Sequence, residues 1–342
     1  MTGRERVLAT IAGRDPDSFP CMPITAMFAA ELLGVRYGRY VGDHRIMADA
    51  QVLTAKFFGF DHVSVIGPAP ESVDLGAKIQ WFDDQPWALI EEAALFADKS
   101  VLAGAKVPAS GRWMEDRVRG VELLRQRVGN ELIVEGWIEG PCAEGAELRG
   151  INRLMVDFSD DPAFVHDLFE FTLELGIHFA AMQIAAGADF IGVGDAAASL
   201  VGPRMYKEQV WPWEKKLVEA IHALGGKVRL HICGNTRRIL DGMGELGCDF
   251  VDIDYPVQMV AARSKMGSQQ TLAGNLDPVR CVRNGSPEAI VESLHALQQQ
   301  AGARWIVAAG CEIVRDTPHE NLRAMVEFAR THAASLPAQR TE

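Results

Sequence analysis

Short runs of apolar and β-branched residues alternate with longer segments of helical periodicity along the whole 342-residue chain. The runs predict eight strands, at residues 19–25, 62–67, 131–138, 188–195, 227–233, 249–254, 269–275 and 304–311. Strands that alternate with helices form parallel sheets, and eight such units are typical of a closed barrel. We therefore predict an α/β fold, a single (β/α)8 TIM-type barrel with an N-terminal extension and extra helices. An open doubly wound sheet is the alternative, although no Gly-x-Gly-x-x-Gly motif follows an early strand.

Proline after a capping residue marks the start of several predicted helices. Asp161 precedes Pro162, and Ser286 precedes a proline in the same way. Thr317 and Glu320 have the spacing of a capping box, which predicts a helix that begins next to Thr317. The stretch at residues 81–100 is irregular and predicts extra helices or a hairpin.

Composition and charge exclude several classes of protein. The formal net charge is −12 and no run of Lys or Arg occurs, which argues against nucleic acid or an anionic membrane as a partner. Six cysteines in a chain of this length do not indicate a disulfide framework, and the charged N-terminus does not resemble a signal peptide. We expect a cytoplasmic protein. No linker divides the chain, so residues 1–335 are predicted to form the barrel and residues 336–342 a disordered tail.

The segment GGKVRLHICGNT places His231 and Cys233 two residues apart at the end of a predicted strand. Residues i and i+2 of a strand point to the same side, and the active sites of barrels lie at the carboxyl ends of the strands. Cys311 ends the last predicted strand, so its side chain reaches the same mouth. One histidine and two cysteines match a catalytic zinc site, in which three protein ligands leave the fourth coordination position open for water or substrate. Asp252 and Asp254 share a face of the sixth predicted strand, and one of them is a candidate to orient His231, with solvated loop carboxylates as the alternative.

Four more polar residues follow predicted strands and are candidates for contact with substrate or cofactor. Glu139 and Asp195 are predicted as catalytic residues, with a rim salt bridge and a helix cap as the respective alternatives. Asn275 and Asp277, in GNLDP, are predicted to contact the cofactor or substrate, with capping of the turn as the alternative.

The motifs HICGNT and GCEIVRDTPHENLRAM resemble the His-x-Cys-Gly motif and the distant single cysteine of one protein family. This family is the uroporphyrinogen decarboxylase superfamily, in its branch of zinc-dependent corrinoid methyltransferases. The opening RERVLATIAGRDPDSFPCMP and the segment AGADFIGVGDAAASLVGPRMYKEQVWP are similar to the same family. The resemblance implies Zn²⁺ held by His231, Cys233 and Cys311. It also implies transfer of a methyl group between a corrinoid (cobalamin) and a small thiol acceptor or methyl donor, in a direction that the sequence leaves open.

Two further expectations follow from this resemblance. The corrinoid carriers of such systems contain Asp-x-His-x-x-Gly, which does not occur in this sequence, so we expect the corrinoid to be carried by a partner protein. The alternative function is a uroporphyrinogen-type decarboxylase that acts on a tetrapyrrole without a metal. The segments LGVRYGRYVGD and HVSVIGPAPES lack the arginine-rich and aspartate motifs of the true decarboxylases, which favours the methyltransferase.

Overall fold

The computed structural model describes residues 1–332, so the predicted tail at residues 336–342 lies outside the described residues. One curled sheet contains seven parallel strands that neighbour each other in chain order, and a separate hairpin contains two short strands. The strands are β1 (His62–Ser64), β2 (Ile79–Gln80), β3 (Ala88–Leu89), β4 (Ile133–Glu139), β5 (Phe190–Gly194), β6 (Lys227–His231), β7 (Phe250–Asp252), β8 (Thr271–Ala273) and β9 (Trp305–Ile306). The hairpin of β2 and β3 overlaps the irregular stretch in which extra helices or a hairpin were expected.

The segment predicted as the first strand closes the barrel, but it pairs with its neighbour through a single β-bridge and not through a continuous ladder of hydrogen bonds. Cys21 pairs in parallel with Val307, and its carbonyl oxygen accepts a hydrogen bond from the backbone N–H of Asp61, 3.0 Å away. This segment therefore lies between β9 and β1 and completes the eighth position of the predicted barrel. Pro20 and Pro23 flank the bridge and have no N–H to donate, which explains why no longer ladder forms.

Helices cover the outside of the barrel and its ends. They are α1 (Gly3–Ile11), α2 (Met27–Leu33), α3 (Tyr37–Gly42), α4 (His44–Phe58), α5 (Pro70–Asp74), α6 (Arg112–Val128), α7 (Pro141–Arg149), α8 (Ile151–Asp160), α9 (Pro162–Ala185), α10 (Pro203–Met205), α11 (Trp211–Ala223), α12 (Leu240–Glu245), α13 (Met259–Met266), α14 (Pro287–Ala301) and α15 (His319–Thr331). In residues 1–332, no helix combines the length and the apolar character needed to cross a membrane.

The observed N-cap residues of α9 and α14 are those predicted from the sequence, whereas the N-cap residue of α15 is a different one. The Asp161 carboxylate accepts a hydrogen bond from the N–H of Phe164 at the start of α9, and Ser286 caps α14 in the same manner. The predicted capping box at α15 is wrong. Its N-cap residue is Pro318, and the hydroxyl of Thr317 donates to the carbonyl of Val314, 2.6 Å away. This bond turns the hydroxyl toward the preceding loop, away from the free N–H groups of the helix.

The two ends of the barrel have different character. At the amino-terminal end of the strands a small apolar cluster fills the interior, and α1 contributes Val7 to it from the predicted N-terminal extension. Phe190 of β5 and Phe250 of β7 pack against each other there, with ring centroids 5.5 Å apart. This cluster therefore closes the interior of the barrel at the amino-terminal end, and the cavity beside His231 opens at the opposite, carboxyl end.

Candidate metal centre

His231, Cys233 and Cys311 meet at the carboxyl end of the barrel. His231 is the last residue of β6, and Cys233 follows it by two positions. Cys311 comes from the loop after β9 on another part of the barrel wall. The donor atoms of the three side chains all lie within 4.8 Å of one another. The structure thus brings together the three residues that the sequence assigned to a metal.

The distances between these donor atoms fit a zinc ion. His231 Nε2 lies 3.0 Å from Cys233 Sγ and 3.8 Å from Cys311 Sγ, and the two sulfur atoms are 3.9 Å apart. Zinc binds thiolates at about 2.3 Å and imidazole at about 2.0–2.1 Å, so tetrahedral ligands lie about 3.5–3.8 Å apart. Two of the separations match, and the third is shorter by about half an ångström because Cys233 and His231 are hydrogen-bonded. These residues therefore fit zinc, with one tetrahedral position left for another ligand.

Two glycines allow the backbone to place the cysteines. Gly234 has φ of 89°, a left-handed conformation in which a side chain is strained, and its N–H donates to Asp254 Oδ2 at 2.5 Å. A Cβ on Gly310 would lie 2.3 Å from the backbone nitrogen of Tyr255, so the loop that carries Cys311 approaches this backbone too closely for any other residue. Glycine beside each cysteine is thus a requirement of the local backbone.

A chain of buried charges orients the imidazole of His231. Its Nδ1 lies 3.0 Å from Asp252 Oδ2, which leaves Nε2 to face the two sulfur atoms. Asp252 also accepts from Arg229 Nε at 2.8 Å, and Arg229 Nη1 lies 3.3 Å from Glu135. Asp252 is therefore the residue that orients His231, one of the two carboxylates that the sequence proposed. Carboxylates that hold a ligand histidine fix its orientation and strengthen its bond to a metal.

The three candidate ligands also change the acidity of each other. Hydrogen bonds from Cys233 and His231 lower the pKa of the Cys311 thiol to about 4, although burial opposes this shift. Burial alone would lower the pKa of His231, but Asp252 and the Cys311 thiolate raise it to about 10. The hydrogen bond to Cys311, together with burial, raises the pKa of Cys233. Cys311 thus forms a thiolate most readily, and binding of a metal must displace protons from His231 and Cys233.

We expect Asp252→Asn to weaken zinc binding about 10–100-fold, because an amide of the same size removes the charge that supports His231. Competition with a chromophoric chelator measures this affinity. Asp249→Asn is a matched control, since Asp249 forms a second His–Asp contact, 2.9 Å from His222 Nε2, on the surface. Equal zinc affinity in Asp252→Asn and wild type would contradict the proposed role of Asp252 in orienting and supporting His231.

A cavity of about 260 Å³ opens beside the three residues. Its wall includes Trp137, Tyr37 and Ile66 as well as the carboxylic acids Glu139 and Glu312. Trp137 lies next to the imidazole of His231, with ring centroids 6.4 Å apart. Pockets for drug-sized ligands measure about 300–1,000 Å³, so this cavity has room for a small molecule. A ligand that entered it would lie directly against the metal position.

The two predicted catalytic acids have different locations. Glu139 lines the cavity, and burial followed by repulsion from neighbouring carboxylates raises its pKa well above the ordinary value. Asp195 is fully buried behind the wall, where its carboxylate accepts from the N–H groups of Cys142 and Ala143 at the start of α7. Burial raises its pKa to about 7. This geometry corresponds to the capping alternative for Asp195 and leaves Glu139 as the acid that a small ligand can reach.

Asn275 and Asp277 lie beside the mouth, outside the group of residues that line this cavity. The amide of Asn275 donates to the carbonyl oxygens of Val257 and Asp254, at 2.6 and 3.3 Å. Asp277 Oδ1 accepts from the N–H groups of Val279 and Arg280. Asp277 therefore caps the turn after β8, as the capping alternative stated, whereas Asn275 connects this turn to the loop after β7. Contact of either side chain with a cofactor stays a prediction.

Three further glutamates near Glu139, two of them buried and one half-buried, were not singled out from the sequence. Glu71 of α5 and Glu144 of α7 are almost completely buried, and Glu147 of α7 is half-buried. The signal available in the sequence is weak, because Glu144 and Glu147 have the ordinary spacing of an exposed helix face. Only the packing of α5 against α7 places these carboxyl groups inside the protein.

Comparison with known proteins identifies the family and the fold of this chain. The sequence profile described as uroporphyrinogen decarboxylase (URO-D) matches residues 2–332. A methylcobamide:CoM methyltransferase, MtbA, of Methanosarcina acetivorans is 27% identical over 97% of this chain and 98% of its own length. A uroporphyrinogen decarboxylase of Nostoc is 27% identical but covers 61% of this chain and 62% of its own length. Among solved structures, a methyltransferase from Methanosarcina mazei superposes with a TM-score of 0.88, at 21% identity, over 97% of this chain and 99% of its own.

Proposed function

Because this chain belongs to the uroporphyrinogen decarboxylase family, we propose that it is a zinc-dependent methyltransferase of that family. It moves a methyl group between a corrinoid, carried by a partner protein, and a small thiol acceptor or methyl donor. The observation that carries this proposal is the group of His231, Cys233 and Cys311, whose donor atoms face a small cavity at zinc-like spacing. Relatives that match almost the full chain are named as methyltransferases, which supports the same choice.

The residues of the site have distinct tasks in this function. Zinc, when bound, acts as a Lewis acid that makes a thiol more acidic or activates a methyl donor. Cys233, Cys311 and His231 hold the ion, and Asp252 fixes the imidazole. Trp137 and the apolar part of the wall exclude water from the small ligand. Glu139 and Glu312 are carboxylic acids of the cavity wall that can hold or release a proton when a ligand enters.

The decarboxylase alternative fits the cavity less well. A tetrapyrrole substrate is larger than the drug-sized molecules that occupy about 300–1,000 Å³, whereas this cavity measures about 260 Å³. Its wall carries Glu139 and Glu312, and its lining residues include neither Lys nor Arg. A substrate with many carboxylates would meet acidic groups there. The corrinoid is best placed at the open mouth, where a partner protein docks and the small ligand below remains within reach.

A spectroscopic assay tests the proposed function. The purified zinc-loaded chain is mixed with methylcobalamin and candidate thiols, or with Co(I) cobalamin and candidate methyl donors. We expect the corrinoid spectrum to change with one of these sets, and to change faster when the native corrinoid protein is supplied, because docking positions the reacting groups. A chain that leaves every corrinoid spectrum unchanged but decarboxylates uroporphyrinogen would instead be the alternative enzyme.

A further inference from the structure

Behind the cavity wall lies a glutamate cluster that consists of Glu71, Glu139, Glu144 and Glu147. Glu139 ends β4 and lines the cavity, and its backbone nitrogen donates to Glu71 Oε1, 3.3 Å away. Glu71 and Glu144 are almost completely buried, whereas Glu147 is half-buried and does not line the cavity. The cluster therefore has a buried middle and two partly exposed ends, of which only Glu139 lies at the cavity.

The contacts of Ser72 place a proton inside this cluster. Ser72 Oγ lies 2.7 Å from Glu144 Oε1 and 2.9 Å from Glu147 Oε2. A hydroxyl has a single hydrogen to donate, so it serves one carboxylate at a time. The second contact is a hydrogen bond only if one of the two carboxyl groups carries a proton and donates it to Ser72 Oγ. The geometry is thus that of a carboxylic acid, a hydroxyl and a carboxylate in series.

The glutamate cluster also has no positive partner. Among residues 1–332, none of its four members forms an ion pair with Lys, Arg or His at 4.0 Å or less. Buried carboxylates without a cation become neutral by taking up protons. In agreement, burial followed by mutual repulsion raises the pKa of Glu71 and Glu139 well above the ordinary value, and burial raises that of Glu144 to about 7.

The charged groups on the neighbouring elements are engaged with other partners. Arg117 of α6 pairs with Asp116, and its Nη2 has no hydrogen-bond partner among residues 1–332. Arg149 of α7 pairs with Asp157 of α8 at 2.6 Å. Asp195, in the loop after β5, accepts from backbone N–H groups at the start of α7 and adds a further carboxyl group next to Glu139. Protons are therefore what the glutamate cluster can exchange.

We propose that the glutamate cluster and Ser72 store a proton and carry protons between the cavity and solvent. Glu139 is the cavity end of this route and Glu147 is its solvent end. The inference rests on the proposed function, because a thiol that accepts a methyl group must lose its proton. Such a route works while a partner protein covers the mouth, when water does not reach the cavity from that side.

The transfer balances without an added reactant. The S–H bond of the thiol breaks, and its electron pair stays on sulfur. Glu139 takes the proton on one carboxyl oxygen and releases the proton of its other oxygen to Glu71. The transfer continues across Glu71 Oε2 and Glu144 Oε2, two buried oxygens without a hydrogen-bond partner in residues 1–332, and then through Ser72 to Glu147. Each group ends with the protons it had, and one proton reaches water. A donor whose leaving group takes up a proton uses the same route in reverse.

Infrared spectroscopy of the zinc-loaded chain tests the stored proton without methyl transfer. A neutral carboxylic acid gives a carbonyl band that is separate from the bands of carboxylates. We expect such a band near neutral pH, and we expect Ser72→Ala to shift it because the hydrogen bond to the acid is lost. After mixing with D2O the band should exchange more slowly in Glu147→Gln than in wild type, since the solvent end is blocked. Glu122→Gln, on the exposed face of α6, is the control and should behave as wild type.

Kinetics test the route itself. Ser72→Ala and Glu147→Gln should slow methyl transfer from methylcobalamin to a thiol by about tenfold or more, because proton transfer becomes the slow step. Imidazole, a small buffer that carries protons by diffusion, should restore part of the lost rate. The rates of wild type and Glu122→Gln should not depend on buffer concentration. Damage to the fold alone would not be repaired by buffer, so this dependence separates a proton route from a structural role.

Two results would overturn the inference. One is an acid band that is absent from wild type or identical in Ser72→Ala, and the other is a wild-type, buffer-independent rate in both variants. These outcomes are separable from failure of the proposed function. A chain that transfers methyl equally well in both variants keeps the function and loses the inference. If no corrinoid spectrum changes, the function fails, and the exchange rate of the acid band in Glu147→Gln still decides whether protons leave through the glutamate cluster.

Discussion

Cys311→Ser should remove nearly all bound zinc and, with it, all methyl transfer. A hydroxyl is a poor replacement for the thiolate that Cys311 forms more readily than Cys233 does. The remaining His231 and Cys233 would leave two open positions, which is too few protein ligands for a catalytic zinc site. Elemental analysis after dialysis measures the metal, and the corrinoid assay measures the activity.

Cys281→Ser is the matched control for this experiment. Cys281 is also a half-buried free cysteine, but it lies away from the mouth, with its Sγ 3.8 Å from Ser293 Oγ. We expect this variant to keep about one zinc ion per chain. Retention of zinc in Cys311→Ser, or its loss in Cys281→Ser, would show that the ion is bound elsewhere.

Arg229→Met should destabilise the fold by about 3–5 kcal/mol, because it leaves buried Glu135 without its cation and buried Asp252 with His231 alone. The Arg229 side chain is 1% exposed, as is Glu135, and Asp252 is 3% exposed. Burial alone would raise the pKa of Asp252, but Arg229 and His231 hold it below the ordinary value. Loss of Arg229 therefore also weakens the support of His231, so zinc affinity should fall in the same variant.

Urea denaturation of the zinc-free chain measures the change in stability without a contribution from metal binding. Arg119→Met is the control, since Arg119 pairs with Glu115 on the surface and such pairs contribute about 0–1 kcal/mol. A loss of less than about 1 kcal/mol in Arg229→Met would mean that water or protons already neutralise the buried carboxylates.

The strand positions and the grouping of the three candidate metal ligands were predictable because they depend on local patterns and on the topology of the fold. Each apolar run coincides with a strand or with the bridge at Cys21, and the spacing of His231 and Cys233 places both on one side of a strand end. The family resemblance is confirmed by a match over residues 2–332. Residues far apart in the chain, such as Cys233 and Cys311, could be assigned to one site because the topology of a barrel brings all strand ends together.

Features that depend on contacts between elements were not predictable in the same way. The predicted capping box at Thr317 does not form, because the Thr317 hydroxyl donates to the carbonyl of Val314 in the preceding loop. The residue pattern that predicts the start of a helix carries no information about such a partner. The burial of Glu71 and Glu144 depends on how α5 packs against α7. A sequence pattern gives the face of a helix, but it does not say which neighbour covers that face.

Reconstitution of zinc-free protein with measured amounts of zinc tests the central claim most directly. At each step, bound zinc per chain and the rate of the corrinoid spectral change are recorded with the same thiol or methyl donor. We predict that the rate rises in proportion to bound zinc and saturates at about one ion per chain, the capacity of a single site with three protein ligands. A rate that does not depend on zinc, or a metal-free protein that decarboxylates uroporphyrinogen, would contradict the assignment of this enzyme as a zinc-dependent methyltransferase.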